Sequence, residues 1–167
     1  MQRTLTKKRQ SDIEHIKEAG LTLDFDEIAR RGQMSEEEAH IAKWYGVYRT
    51  RLPGVHMVRV VLPGGTFTSA QGRAMARLAE QYGQGVLSFT TRQSVQFHWI
   101  KPPQLPNLMR DLHRAGLTSF HGCGDVNRNT AACPWASTCP HRRLDVLPFA
   151  QETSSALAAC RDLDNLP

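Results

Sequence analysis

The chain has 167 residues, of which 40% are hydrophobic and 22% charged, a composition typical of one soluble globular domain. A domain of about 150 residues buries roughly 68–70% of its unfolded surface, so the four cysteines need not form a disulfide framework. No stretch reaches the about 20 apolar residues of a membrane span, and the first residues lack the apolar core of a secretory signal. We therefore expect a cytoplasmic protein with no membrane partner.

The net charge of +5 is concentrated in the later part of the chain. Residues 1–50 carry nine basic and nine acidic side chains, whereas residues 51–167 carry twelve basic and seven acidic ones. Eleven of those twelve are arginines, and Lys101 is the single lysine. Because the guanidinium fork binds carboxylates and other oxyanions bidentately, this bias predicts an anionic ligand.

Residues 1–50 are predicted to form a helical N-terminal arm. Ser11 can cap a first short helix that ends at Gly20. Ser35 and Glu38 have the spacing of a capping box ahead of a second helix, which Gly46 would end. The mixed charges of both helices indicate solvated faces.

Residues 51–121 are predicted to form one compact unit of alternating strands and helices. Thr68 and Gln71 again have capping-box spacing, and the helix that they begin would end at Gly83. The expected elements are a strand at 55–62, a helix at 69–82, strands at 86–90 and 94–100, a helix at 105–115 and a strand at 117–121. This β-α-β-β-α-β order predicts an α+β fold of the ferredoxin-like class, with the first and third strands adjacent and both helices on one face.

The strand at 94–100 alternates between apolar and polar residues, so its two faces have different chemistry. Parity sends the apolar side chains, including Phe97 and Trp99, toward the helices. The opposite, open face is expected to hold Arg92, Ser94, Gln96 and His98. A solvated sheet face explains this pattern, and so does a platform for an anion or a cofactor.

The segment after residue 121 is rich in Gly, Pro, Asn and Cys, and it is predicted to be a loop that carries Arg128, Arg142 and Arg143. A last helix is expected at about 149–160. Cys133 and Cys139 are separated by five residues and precede His141, so a zinc or iron-sulfur role stays open.

Four segments together resemble the siroheme-dependent sulfite and nitrite reductases. They are YGVYRTR at 45–51, MVRVVLPGG at 57–65, TTRQSVQFHWI at 90–100 and GDVNRNTAAC at 124–133. The resemblance runs from about residue 40 to the last residue and covers the N-terminal portion of such an enzyme. It implies that residues 51–121 are a ferredoxin-like half-domain and that residues 122–167 are the truncated start of the siroheme-binding catalytic domain.

The resemblance also implies roles for individual residues. Arg59 and Arg128 match the arginines that reach the substrate side of the heme, where sulfite or nitrite binds. The cofactor-binding set implied around siroheme consists of Thr91, Arg92, Gln96, His98, Arg128 and Asn129.

The activity that the resemblance implies is the six-electron reduction of sulfite to sulfide or of nitrite to ammonia. Siroheme and a 4Fe-4S cluster would carry the electrons, with the cluster ligands expected outside this chain and a ferredoxin or a flavoprotein as donor. The remainder of the reductase chain or a complementary subunit would complete the enzyme. We expect the isolated chain to be an inactive fragment.

Two other functions fit parts of the pattern. A basic ferredoxin-like sheet is also the plan of RNA-binding modules, but those stack bases on exposed aromatic rings. Since parity places Phe97 and Trp99 on the helix side, we expect no nucleic-acid partner. The other alternative is a noncatalytic relative that only binds a tetrapyrrole.

Overall fold

The structure is a computed structural model that describes residues 22–124, 126–160 and 163–164. Within these residues the chain forms five α-helices and four strands. In chain order they are α1 (Phe25–Arg31), α2 (Glu36–Ile41), β1 (Val47–Arg49), β2 (His56–Val60), α3 (Ser69–Tyr82), β3 (Leu87–Phe89), β4 (Val95–Ile100), α4 (Leu105–Arg114) and α5 (Leu147–Ala159). Short 3-10 turns at Pro63–Gly65 and Pro102–Gln104 follow β2 and β4.

The four strands form one antiparallel sheet in the order β1-β2-β4-β3. The adjacent pair β2 and β4 confirms the predicted contact between the first and third strands of the ferredoxin-like motif. The sequence did not predict β1. The strand predicted at 117–121 is reduced to one bridge between Thr118 and Val61.

Local capping signals place the helix starts where the sequence predicted them. In α2 the hydroxyl of Ser35 accepts a hydrogen bond from the Glu38 amide at 3.1 Å, and Thr68 accepts one from Gln71 at the start of α3. Helix α1, which was not predicted from the sequence, begins after Asp24, whose side chain accepts a hydrogen bond from the Glu27 amide. The helix predicted between Ser11 and Gly20 lies outside the described residues.

The core lies between the sheet and the pair α3 and α4. Phe97 and Ile100 of β4 are fully buried, as is Val58 on β2. They belong to one cluster with Met75 and Leu78 of α3 and with the α4 residues Leu105, Leu108 and Leu112. Both helices therefore cover the same face of the sheet, and the opposite face stays open, as the α+β prediction requires.

Trp99 does not occupy the buried position that alternation assigned to it. Its φ of +59° is left-handed, and the pairing of β2 with β4 shifts register between His56 and Val58. One extra residue in β4 makes a β-bulge, so Ile100 enters the core instead. The expectation that Trp99 packs onto the helices was therefore wrong.

The chain from residue 121 to 146 is irregular within its described part, and α5 closes the structure. Helix α5 packs on the turn after β2, where a Cβ on Gly64 would lie 3.0 Å from Leu147 Cδ2. This packing brings the irregular segment back to the end of β2. No helix among the described residues is both long and apolar enough to cross a bilayer.

Candidate anion-binding site

Three parts of the fold meet around one open cleft of about 210 Å³: strand β2, the β3–β4 turn and the segment that begins at residue 122. We call it the arginine cleft. Its lining residues are Arg59, Thr90, Thr91, Arg92, Ser94, Gly122, Arg128 and Asn129. Five of these belong to the seven site residues predicted from the sequence, namely Arg59, Thr91, Arg92, Arg128 and Asn129.

The cleft is strongly electropositive. Three guanidinium groups face it from three different chain segments, and none of the described lining residues carries a carboxylate. Thr90, Thr91 and Ser94 add hydroxyl groups beside them. Arginines this close together repel one another unless an anion lies between them, so the chemistry of the cleft selects a negatively charged ligand.

Arg59 is held in place from three sides. With its amide turned so that the oxygen faces Arg59, Gln96, directly opposite on β4, accepts hydrogen bonds from Arg59 Nη2 at 2.6 Å and Nε at 3.1 Å. The Tyr48 ring lies 5.6 Å from the guanidinium carbon, within cation–π range, and the Gly122 carbonyl accepts from Nη1 at 3.5 Å. The guanidinium is thus oriented before any ligand arrives.

The backbone behind Arg59 is packed too tightly for a side chain at two neighbouring positions. A Cβ on Gly46 would lie 2.2 Å from the Ser119 carbonyl oxygen and 2.8 Å from that of Arg59. A Cβ on Gly122 would lie 2.4 Å from the same Arg59 oxygen. Glycine at both positions lets three chain segments converge behind the cleft.

Asn129 acts as a connector inside the cleft wall. It is 7% exposed, and its Nδ2 donates to the carbonyl of Arg92 at 2.7 Å and to that of Leu62 at 2.9 Å. Its Oδ1 is buried without a hydrogen-bond donor among the described residues. Asn129 therefore ties the Arg128 segment to the turn that carries Arg92.

Gln96 and His98 lie beside the cleft rather than in its wall. Gln96 is used to orient Arg59, and His98 Nε2 lies 2.9 Å from the Ser88 hydroxyl on the neighbouring strand. Both side chains are partly exposed on the open face, as parity predicted. The contributions of Tyr48 and Gly122 were not predicted from the sequence, because neither contact can be seen without the sheet register.

Cys123 and Tyr48 lie next to Arg59. Burial raises the pKa of the Cys123 thiol, against the opposing effects of the Arg59 charge and the Tyr48 hydrogen bond. Burial also raises the pKa of Tyr48, and the neighbouring Cys123 adds to the effect. Both groups are therefore neutral at pH 7, so neither adds a negative charge that would offset the arginines of the cleft.

The four cysteines are free thiols. Cys133 is exposed and Cys139 partly buried, on a turn outside the arginine cleft. In the described part of the chain, no group of three or more His, Cys, Asp or Glu side chains could hold a metal ion. The zinc or iron-sulfur role considered for Cys133, Cys139 and His141 has no support from these residues.

Residues 48–115 match the family model of the nitrite/sulfite reductase ferredoxin-like half domain. Residues 48–115 are therefore a half domain of the nitrite/sulfite reductase type. The half domain contains the whole sheet from Tyr48 onward, and with it Arg59, Thr91 and Arg92, whereas Arg128 and Asn129 follow it in the chain.

Two curated relatives that the chain resembles are a sulfite reductase component and a nitrite reductase. The sulfite reductase [NADPH] hemoprotein beta-component of Acidithiobacillus ferrooxidans is 33% identical over 148 residues, an alignment that covers 77% of this chain and 26% of the relative. The chloroplastic ferredoxin–nitrite reductase of Spinacia oleracea is 32% identical over 141 residues, covering 83% of this chain and 24% of the relative. The chain thus spans about a quarter of the length of the curated relatives.

A solved structure confirms the fold of the nitrite/sulfite reductase half domain. The Mycobacterium tuberculosis NirA protein superimposes with a TM-score of 0.75 at 23% sequence identity. The match covers 92% of this chain and 30% of the NirA chain. The α+β fold is therefore shared with about a third of the NirA chain.

Proposed function

We propose that the arginine cleft is one wall of the active site of a sulfite or nitrite reductase, where it binds the carboxylates of siroheme and the substrate oxyanion. The observation that supports this proposal is the convergence of Arg59, Arg92 and Arg128 on one cleft, with no carboxylate among the described lining residues. Both ligands are anionic, so the same array serves both.

The residues present fit siroheme by their chemistry. Three guanidiniums and the hydroxyls of Thr90, Thr91 and Ser94 are donors suited to a macrocycle that carries many carboxylates. The cleft of about 210 Å³ is smaller than the roughly 300–1,000 Å³ of pockets that enclose a drug-sized ligand. Siroheme would therefore extend over the open face of the sheet, where Gln96 and His98 lie.

Within this wall we propose that Arg59 and Arg128 bind the substrate. Arg92, Thr91 and Asn129 would lie beside the siroheme carboxylates. Arg59 is the guanidinium that the protein holds most firmly, by Gln96, Tyr48 and Gly122. A fixed donor suits an oxyanion whose charge changes during reaction. Gln96 then acts on the substrate through Arg59.

The work of this chain is electrostatic. Siroheme coupled to a 4Fe-4S cluster would supply the electrons for the six-electron reduction. Arg59 and Arg128 donate hydrogen bonds to the oxyanion and stabilise the negative charge on its oxygens. Because the guanidiniums are already oriented, no reorganisation is needed as that charge grows.

The described residues do not fit the iron-sulfur cluster, since they contain no suitable group of cysteines. We therefore propose that the cluster ligands and the second half domain come from the remainder of the reductase chain or from a complementary subunit. The donor would be a ferredoxin or a flavoprotein; the name of one relative contains ferredoxin and that of the other NADPH. We expect no sulfite or nitrite turnover from the 167-residue chain alone.

The test is a siroheme titration of the 167-residue chain, followed by absorbance. We expect Arg92→Met to weaken binding about tenfold, which corresponds to one charge-assisted hydrogen bond. Arg73→Met, which removes an exposed arginine of α3 on the other side of the sheet, is the matched control. Equal affinities of the two variants would contradict the proposal, and so would six-electron turnover by the unsupplemented chain.

A further inference from the structure

Gln93 follows Arg92 in the β3–β4 turn and reaches across to the segment that carries Arg128. Its Nε2 donates to the Ala132 carbonyl at 2.6 Å, and its Oε1 accepts from the Ala132 amide at 2.9 Å. One side-chain amide therefore pairs with both backbone groups of a residue 39 positions away, as a neighbouring strand would.

The Gln93 side chain is fixed as well as bonded. Its backbone φ is +59°, a left-handed conformation that costs energy for a residue with a Cβ. A Cβ on Gly65 would lie 2.9 Å from Gln93 Cβ and 3.0 Å from Cδ, so the arm lies flat on the Gly65 backbone. A strained residue persists where its surroundings determine its position, and such residues cluster at functional sites.

Hydrogen bonds from two other places also hold the Arg128 segment. Asn129 Nδ2 bonds the carbonyls of Leu62 and Arg92, and the Gly64 amide donates to the Thr130 carbonyl at 2.8 Å. The described residues of 121–146 form no helix or strand that could hold Arg128 by a regular ladder. The Gln93–Ala132 pair adds two hydrogen bonds to those made by Asn129 and Gly64.

We propose that Gln93 is a positioning residue that fixes Arg128 relative to Arg92 and Arg59 by fastening the Arg128 segment to the β3–β4 turn. This inference rests on the proposed function of the arginine cleft. Gln93 does not line the cleft, and it acts on the anion only through the place where it holds Arg128. Prior placement of donors reduces the ordering cost of binding.

Two substitutions remove the pair without adding charge. Gln93→Asn keeps an amide and a residue type that tolerates left-handed backbone, but its arm is one methylene too short to span both Ala132 groups. Gln93→Met keeps the length and removes both hydrogen bonds. Gln84→Asn is the matched control, since Gln84 is an exposed glutamine with a φ of +52° outside the cleft.

Two measurements on the 167-residue chain decide the question. In amide hydrogen exchange, both Gln93 variants are expected to lose protection at Ala132, whereas Gln84→Asn keeps it. In calorimetric sulfite titrations at a temperature where every variant is folded, the Gln93 variants should bind about fivefold more weakly and the control within about twofold. In the Arg128→Met background, Gln93→Asn should change the sulfite affinity less than about twofold. The guanidinium that Gln93 is proposed to position is then absent.

The contrary outcomes are distinct. Unchanged protection at Ala132 in both Gln93 variants would overturn the attachment itself. Lost protection with wild-type sulfite affinity would overturn the positioning role. A full fivefold loss in the Arg128→Met background would also overturn it, since the effect would then be structural. A wild-type chain that does not bind sulfite would contradict the proposed function, while the exchange result would still report on the attachment.

Discussion

Gly46 lies where two other backbone segments cross behind the arginine cleft. Its φ of +77° is left-handed, and a Cβ there would lie 2.2 Å from the Ser119 carbonyl oxygen. Gly54 has a φ of +75° but nothing within 4 Å of such a Cβ. The two glycines thus share the conformational requirement and differ only in the space around them.

We predict that Gly46→Ala lowers the free energy of unfolding by about 3 kcal/mol or more and that Gly54→Ala lowers it by about 1 kcal/mol. Strain at positive φ is common to both, so the difference reports the steric clash with Ser119 and Arg59. Urea denaturation at neutral pH measures both values. Equal losses of unfolding free energy would show that the backbone at Ser119 and Arg59 moves away from the new Cβ at no cost.

Residue-scale roles were the hardest to predict from the sequence. The resemblance placed Arg59, Arg92 and Arg128 in one site, and the structure brings all three to one cleft. The resemblance could not show that Gln96 binds Arg59 or that Asn129 bridges two loops, because a side chain's partner depends on strand register and tertiary packing. Gln96 and Asn129 each contact another part of the protein, whereas the resemblance implied a contact with the cofactor.

At the scale of elements, helix starts were predictable because their signals are local. The hydroxyl at Ser35 or Thr68 and the side chain three residues later cap the same turn, whatever lies around it. Strand β1 was missed because three residues carry no detectable period. Trp99 was misplaced because alternation assumes that a strand has no bulge.

Strand β2 begins with a buried histidine, which makes the sheet sensitive to pH. His56 is 5% exposed, and its Nδ1 has no hydrogen-bond partner among the described residues. Burial lowers the pKa of the imidazole, and the nearby Arg49 charge lowers it further. The folded chain therefore holds His56 neutral at a pH where the unfolded chain takes up a proton.

Because the unfolded state binds more protons, stability is full above the unfolded pKa of about 6.5 and falls as the pH drops below it toward the folded value. We predict that the free energy of unfolding decreases between pH 7.5 and pH 5.5 and that His56→Gln makes the decrease smaller. His113→Gln, at an exposed position of α4, is the control and should keep the wild-type decrease. Identical pH profiles for all three proteins would show that His56 is solvated.

In the whole molecule, the uneven charge distribution and the fold together place positive charge at one cleft. The excess of arginines lies after residue 50, and three of them come from separate segments to face one cleft. Holding three like charges together costs free energy that an anion recovers, so the cleft links the stability of the fold to its ligand. A solvated basic face would show no such link, since its arginines have no common ligand.

We therefore predict that sulfite raises the melting temperature of the 167-residue chain more than sodium chloride at equal ionic strength. A ligand at 100 times its Kd adds about 2.7 kcal/mol to the stability of the state that binds it. The variant Arg59→Met/Arg92→Met/Arg128→Met should lose the excess shift, because its cleft has no guanidinium left. The matched variant Arg73→Met/Arg77→Met/Arg143→Met removes three exposed charges and should keep it. Loss of the shift in both variants would mean that overall charge, and not the cleft, attracts the anion.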